Sequence, residues 1–234
     1  GVGKTMHELN YAITKKILLI NTESKSEIYS IEKIAKSKKI KVDIGIRLNP
    51  NTDANTLSQI STGKKENKFG ISEKMFLNLV NYVKKSKNLN LKCLSVHIGS
   101  QILNVKPYKK MLKILSKVIA RSNFYFKYID LGGGMGINYN NEKNSLDLNS
   151  YSMSIKNFLK ENKSRIILEP GRSIVGNTGV LISKVIYNKE GYKKNFIILD
   201  AAMNDLMRPA LYNAKHRIIP AVKNNIFSKK IYEF

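Results

Sequence analysis

Ile129-Asp-Leu-Gly-Gly-Gly-Met-Gly136 is an apolar run ending in four glycines within five positions. Two other apolar runs end in comparable motifs: Leu94-Ser-Val-His-Ile-Gly-Ser-Gln101 and Ile166-Ile-Leu-Glu-Pro-Gly-Arg172. His97, Gly132 and Glu169 lie 35 and 37 residues apart, about one strand–helix unit of a repeating βα fold. Such folds place their ligands at the C-terminal ends of parallel strands. Polar residues and glycines at three such ends therefore point to one site assembled from several strands.

Apolar runs and amphipathic patterns alternate on either side of these motifs. Ile17–Ile20, Val42–Leu48, Leu91–Ile98, Phe124–Leu131 and Arg165–Leu168 read as strands. One helix carries Ile28, Ile31, Ile34 and Ala35 inward. A second, capped by Ser72, carries Phe76, Leu79, Val80 and Val83. A third, opened by Pro107, buries Tyr108, Met111, Leu112, Leu115, Val118 and Ile119, and a fourth spans Tyr151–Lys160. This order predicts an α/β fold, part of a (β/α)8 TIM-like barrel over residues 1–175. After residue 176 the pattern turns to β: Val180–Tyr187 and Asn195–Leu199 around the turn Asn188-Lys-Glu-Gly191, then Ile218-Ile219 and Ile226 onward. Residues 176–234 are thus expected to begin a mainly β domain. A complete barrel needs about 250 residues by itself. The chain is accordingly expected to be an interior piece lacking the first barrel strands.

The chain is 42% hydrophobic, enough for a core, and holds no apolar run of membrane-spanning length. Residues 1–16 do not read as a signal peptide. The single cysteine, Cys93, lies in a strand-like run and suits a core position in a reducing cytoplasm. The net charge of +24 raises the question of nucleic acid. Most of the 41 basic residues are lysines scattered along the chain, however, not arginines clustered among aromatics. Compositional bias explains this charge better than a specific nucleic-acid function, although nonspecific binding to polyanions is expected.

Each motif has its own chemistry. Gly132, Gly133 and Gly134 free backbone N–H groups to approach an anion such as phosphate. Asp130–Gly136 also resembles the first motif of S-adenosylmethionine methyltransferases, which keeps that reading open. Gly1-Val-Gly-Lys-Thr5 resembles half of a P-loop, without the acidic strand end that Mg²⁺ would need. In Glu169-Pro-Gly-Arg172 a tight turn carries both a carboxylate and a guanidinium toward a shared ligand. His97 with Gly99 and Ser100 makes an anion contact plausible, while Arg208 and Tyr212 suit a carboxylate. No second His or Cys stands at metal-ligand spacing, so no metal site is expected.

The ordered set resembles the pyridoxal-phosphate-dependent decarboxylases of the alanine-racemase-type fold. It comprises Gly1–Thr5, Ile60-Ser-Thr-Gly63, Asn67-Lys-Phe-Gly-Ile71, Ser95–Gln101, Asp130–Gly134, Glu169–Arg172 and Arg208-Pro-Ala-Leu-Tyr212. Arg208–Tyr212 and the Ser-Thr-Gly…Lys-Phe-Gly-Ile pair resemble the branch that acts on diaminopimelate rather than on ornithine or arginine. The resemblance implies pyridoxal 5'-phosphate as cofactor, with His97 stacked on its ring and Glu169 facing the ring nitrogen. It implies that Ser100, Gly132–Gly134, Glu169, Gly171 and Arg172 hold the phosphate end of the site. Arg172, Arg208 and Tyr212 would contact substrate, with Arg47 a supporting charge behind the ring.

It further implies decarboxylation of meso-2,6-diaminopimelate to L-lysine and CO₂ by a cytoplasmic homodimer with shared active sites. Another basic amino acid remains an alternative substrate. The family's cofactor-linking lysine would lie before Gly1 and its partner-reaching cysteine segment beyond Phe234. Neither Lys4 nor Lys68 stands in the lysine motif's context, so the chain alone is expected to be inactive. Leu57-Ser-Gln59 replaces a His-Pro-Tyr-like run common in the family.

Overall fold

The computed structural model describes residues 1–52, 68–139, 145–222 and 232–233. Gly1–Thr5 leads into α1 (Met6–Thr14), where Thr5 and Glu8 form a reciprocal capping box. The N-terminal Lys-Thr pair is thus the start of an ordinary capped helix. Thereafter strands and helices alternate: β1 (Ile20–Thr22), α2 (Lys25–Ser37), β2 (Val42–Arg47), α3 (Glu73–Lys85), β3 (Leu89–Ser95), α4 (Val105–Ser122), β4 (Tyr128–Asp130), α5 (Leu148–Glu161) and β5 (Arg165–Ile167). Ser24, Ser72, Asn104 and Asp147 cap α2 to α5, each side-chain oxygen accepting an otherwise unpaired backbone N–H.

The five strands pair in parallel in the order β1-β2-β3-β4-β5. A doubly wound sheet reverses direction partway and puts helices on both faces. Here the order never reverses, so crossovers of one hand put α2 to α5 on one face, as in an arc of a (β/α)8 barrel. Register then sorts the side chains. Thr22, Ile46, Leu94, Ile129 and Ile166 form one row across the sheet. The next row toward the C-terminal ends is Arg47, Ser95, Asp130 and Ile167. Because strand side chains alternate, Asn21, Gly45 and Cys93 share the face of Arg47, Ser95 and Asp130. One face is apolar and meets the helices; the other carries the polar groups.

The predicted inward faces of α2 and α3 are buried, as are Tyr108, Met111, Leu112, Leu115 and Val118 of α4. Several boundaries differ from expectation. The first strand begins at Ile20, leaving Ile17 and Leu18 half exposed, so that apolar run is mostly approach rather than strand. The α4 helix starts at Val105, two residues before Pro107, because the Asn104 side chain caps it there.

Beyond the short α6 (Arg172–Val175), β6 (Val185–Glu190) and β7 (Asn195–Leu199) pair antiparallel. Strand β6 starts later than predicted and runs through Asn188–Glu190; the turn falls at Gly191–Lys194, where the Gly191 N–H reaches the Lys194 carbonyl. Then come α7 (Arg208–Tyr212) and β8 (Tyr232–Glu233), which pairs parallel with β7. Ile218-Ile219 is not a strand, and most of the stretch from Ile226 lies outside the described residues. The described residues fall into two compact units, one within Gly1–Ile137 and Asn144–Ile174, the other within Asn138–Lys143 and Val175–Phe234. No described helix is long and apolar enough to cross a membrane.

Candidate functional site

The polar row at the strand ends opens into a cavity of about 610 Å³ lined in part by Asn21, Glu23, Arg47, Ser95, His97 and Glu169. Strand register alone brings these residues together from β1, β2, β3 and the loop after β5. Three predicted residues, Arg47, His97 and Glu169, are among them. Ile60–Gly63, Leu57–Gln59 and Asn67 lie outside the described residues.

Asp130 organises the floor. Its Oδ1 accepts the Gly132 N–H at 2.9 Å, and its Oδ2 accepts Asn21 Nδ2 at 2.7 Å and Ser95 Oγ at 3.2 Å. Asn21 on β1 reaches β4 because Gly45 lies between; a Cβ there would stand 2.0 Å from Asn21 Oδ1. Burial raises the Asp130 pKa, opposed by these donors. Cys93 beside it is fully buried, and that burial drives its thiol pKa far above the usual range, so it is packing rather than a nucleophile.

Arg47 is held on three sides. Its Nη1 meets Glu23 Oε1 at 2.8 Å, its Nη2 donates to the His97 carbonyl at 3.5 Å, and its guanidinium lies 5.1 Å from the Phe69 ring centroid. The other Glu23 oxygen accepts the Gly70 N–H at 3.1 Å. The His97 pKa sits below its ordinary value, through burial and then the Arg47 charge. Its Nδ1 accepts the Gly133 N–H at 3.1 Å, which places the ring proton on Nε2.

The glycine loop is crowded from outside. A Cβ at Gly132, where φ is +66°, would lie 2.6 Å from the Val96 carbonyl oxygen. At Gly133 it would meet the Glu169 carbonyl at 2.1 Å, and at Gly134 the Gly99 carbonyl at 2.2 Å. The three glycines thus let the loops after β3, β4 and β5 touch backbone to backbone. Glu169 N–H donates to the Gly132 carbonyl at 2.9 Å, and Tyr108 Oη donates to the Gly133 carbonyl at 3.1 Å. The N–H groups of Gly132 and Gly133 are spent on Asp130 and His97. Among the described residues the Gly134 and Gly171 N–H groups have no hydrogen-bond partner, and a Cβ at Gly171 would find open space.

Glu169 and Arg172 do not pair with each other. Glu169 lines the cavity, where burial first and Asp130 second raise its pKa. Arg172 Nη1 donates to Gln101 Oε1 at 3.0 Å, and Gln101 in turn bridges to the backbone of Ile137. Arg208 and Tyr212 lie on α7 of the second unit. There Arg208 Nη1 meets His216 Nε2 at 2.8 Å, and its guanidinium lies 4.8 Å from the Tyr139 ring centroid.

Sequence reasoning missed Asn21, Glu23, Asp130, Gln101, Tyr139 and His216 as site components. Asp130 and Gln101 stood inside the quoted motifs. Asn21 and Glu23 follow a strand-like run and could have been flagged by position. Nothing in the sequence marked Tyr139 or His216. Among the described residues no group of three His, Cys, Asp or Glu side chains is placed to hold a metal ion.

The donors and cavity suit a phosphorylated aromatic cofactor. The Gly134 and Gly171 N–H groups, without a partner among the described residues, and the Ser100 hydroxyl match a phosphate, while the His97 imidazole and the Glu169 carboxyl at the cavity wall match a pyridine ring with a basic nitrogen. Comparison with known proteins agrees. Residues 1–176 match the family described as pyridoxal-dependent decarboxylase, pyridoxal binding domain. The diaminopimelate decarboxylase of Helicobacter pylori is 46% identical over 222 residues, covering 93% of this chain and 54% of the relative. That of Aquifex aeolicus is 42% identical over 223 residues, covering 94% and 53%. A crystal structure of the Helicobacter pylori enzyme complexed with L-lysine superposes with a TM-score of 0.89 at 43% identity, covering 95% of this chain and 57% of that one. The chain spans about half the length of the curated relatives it matches.

Proposed function

The chain belongs to the pyridoxal-dependent decarboxylase family, and from that membership we propose that the intact gene product carrying it decarboxylates meso-2,6-diaminopimelate to L-lysine and CO₂. The observation that carries this reading is the convergence of Arg47, His97 and Glu169 on one cavity at adjoining strand ends. The 46% identity to a diaminopimelate decarboxylase supports the substrate.

Bound pyridoxal phosphate supplies an electron sink for the pair left when CO₂ departs. Ser100, Gly134, Gly171 and Arg172 hold its phosphate, while Gly132 and Gly133 shape the loop that presents Gly134. His97, fixed as the Nε2–H tautomer, packs its imidazole on the ring. Glu169 would face the ring nitrogen, where a carboxylate charge favours the protonated ring that accepts electrons. Arg47 keeps Glu23 and the His97 backbone in place. Arg172, Arg208 and Tyr212 grip the substrate, and the working form is a homodimer in the cytoplasm.

CO₂ release from diaminopimelate and from ornithine, measured with added pyridoxal phosphate, tests the reading. Diaminopimelate is expected to be strongly preferred, and Glu169→Gln is expected to lower kcat about 100-fold while leaving cofactor binding measurable. Preference for ornithine or another basic amino acid would overturn the substrate assignment. An undiminished Glu169→Gln variant would overturn the role of the carboxyl.

A further inference from the structure

Arg208 is the first residue of α7, a helix of five residues whose end at Asn213 turns left-handed with φ of +49°. That turn sends the chain back along the helix, and the Ala214 N–H closes onto the Arg208 carbonyl at 3.4 Å. Eight residues after Arg208, His216 thereby meets the arginine head, with Nη1 to Nε2 at 2.8 Å. Tyr139 completes the arrangement. Its ring lies 4.8 Å from the guanidinium carbon and 5.3 Å from the His216 ring, the two rings at 70° to each other.

A guanidinium on a long, flexible stem loses much freedom when it grips a carboxylate. Here an aromatic face and an imidazole nitrogen define its plane beforehand. The imidazole takes one of five N–H donors, and the remaining donors stay available for an anionic ligand. Nε2 must carry the lone pair in this contact, so the ring proton resides on Nδ1, the tautomer opposite to that of His97.

We propose that His216, with Tyr139 as its platform, is a positioning residue that aims Arg208 at a carboxylate of the substrate. This rests on the reading of Arg208 as a substrate contact, and the test separates the two.

In the intact gene product, KM and kcat for diaminopimelate are measured for His216→Leu, His216→Gln, Arg208→Ala and the Arg208→Ala/His216→Leu double variant. His216→Leu is expected to raise KM about tenfold with little change in kcat, the loss expected of one hydrogen bond to a charged group. His216→Gln, whose Oε1 can accept from the guanidinium, is expected to restore KM to within about twofold of the unaltered protein. In the Arg208→Ala background, His216→Leu is expected to add nothing. Nitrogen NMR of the side chain supplies a readout independent of turnover: His216 is expected as the Nδ1–H form, and Arg208→Ala is expected to abolish that preference.

If Arg208→Ala leaves KM unchanged, the substrate reading of Arg208 falls and the positioning role falls with it. If Arg208→Ala raises KM while His216→Leu does not, or if the two effects add, the positioning role alone is overturned. Equal losses for His216→Leu and His216→Gln, with lowered melting temperatures, would also overturn it in favour of a structural role. An Nε2–H signal from His216 would do so without any kinetics.

Discussion

The parallel sheet and the β6–β7 hairpin are built from similar apolar segments and end in opposite conditions. Ile44 and Ile46 of β2 are almost wholly buried, whereas every residue of β6 is exposed, Ile186 at 47%. Among the described residues no side chain beyond Phe158 is buried. The sheet of β1 to β5 has helices laid on one face and a polar row closing the other. The hairpin has backbone pairing without apolar layers upon it. Hydrogen-bond ladders alone do not make a core; sandwiching does.

This contrast can be broken or sharpened by substitution. The largest effect is expected where loop backbones touch. Gly133→Ala puts a methyl group 2.1 Å from the Glu169 carbonyl and should cost roughly 4 kcal/mol or prevent folding, as read by urea denaturation. Gly171→Ala, with open space around it, should change stability by no more than about 0.5 kcal/mol. Equal tolerance at both positions would show that the loops do not need their close approach.

Next come matched truncations in the two sheets. Ile46→Ala should destabilise by about 3 kcal/mol through lost burial and a residual cavity. Ile186→Ala should shift stability by about 0.5 kcal/mol or less. A large effect at Ile186 would mean that β6 is covered by something, and the contrast between the sheets would disappear.

The smallest effect expected is pH dependence. His97 and His216 both have depressed pKa values, with burial the leading cause in each. Between the depressed value and about 6.5 the unfolded chain binds a proton that the folded chain refuses. Stability conferred by the neutral ring is therefore present at higher pH and declines as pH falls through that window. Asp130 and Glu169, with raised values, act in the opposite sense: their contribution is present at low pH and is lost as pH rises through their folded pKa values. His97→Asn, whose Oδ1 can still accept the Gly133 N–H, should flatten the melting-temperature profile below about pH 6.5. His216→Gln, at a more exposed position, should flatten it less. The reverse order would place the stronger proton exclusion in the second unit.

How much of this was legible in the chain depends on how local each cause is. Helix faces, N-caps at Ser72 and strand ends at His97, Gly132 and Glu169 follow from short-range pattern, and the structure places them as expected. The Asn195–Leu199 strand was also legible to the residue. By contrast β6 was misplaced because an exposed strand leaves little apolar alternation to read. The glycines were readable as special, but their reason was not. They were expected to face an anion, yet Gly132 and Gly133 give their N–H groups to Asp130 and His97, and their missing side chains make room for carbonyls of neighbouring loops.

What the sequence determined by itself is the repeating βα order and the motifs that mark membership of the pyridoxal-dependent decarboxylase family, because both are carried by residues close together in the chain. The tertiary structure alone decided which polar groups meet. Asn21 and Asp130 are 109 residues apart, and only the register of four strands and the gap at Gly45 bring them to 2.7 Å. Arg208 and His216 are near in sequence, yet only the left-handed turn at Asn213 faces them toward each other, and Tyr139 reaches them from a distant loop. Periodicity records which face a side chain takes; register and turn geometry decide what it finds there.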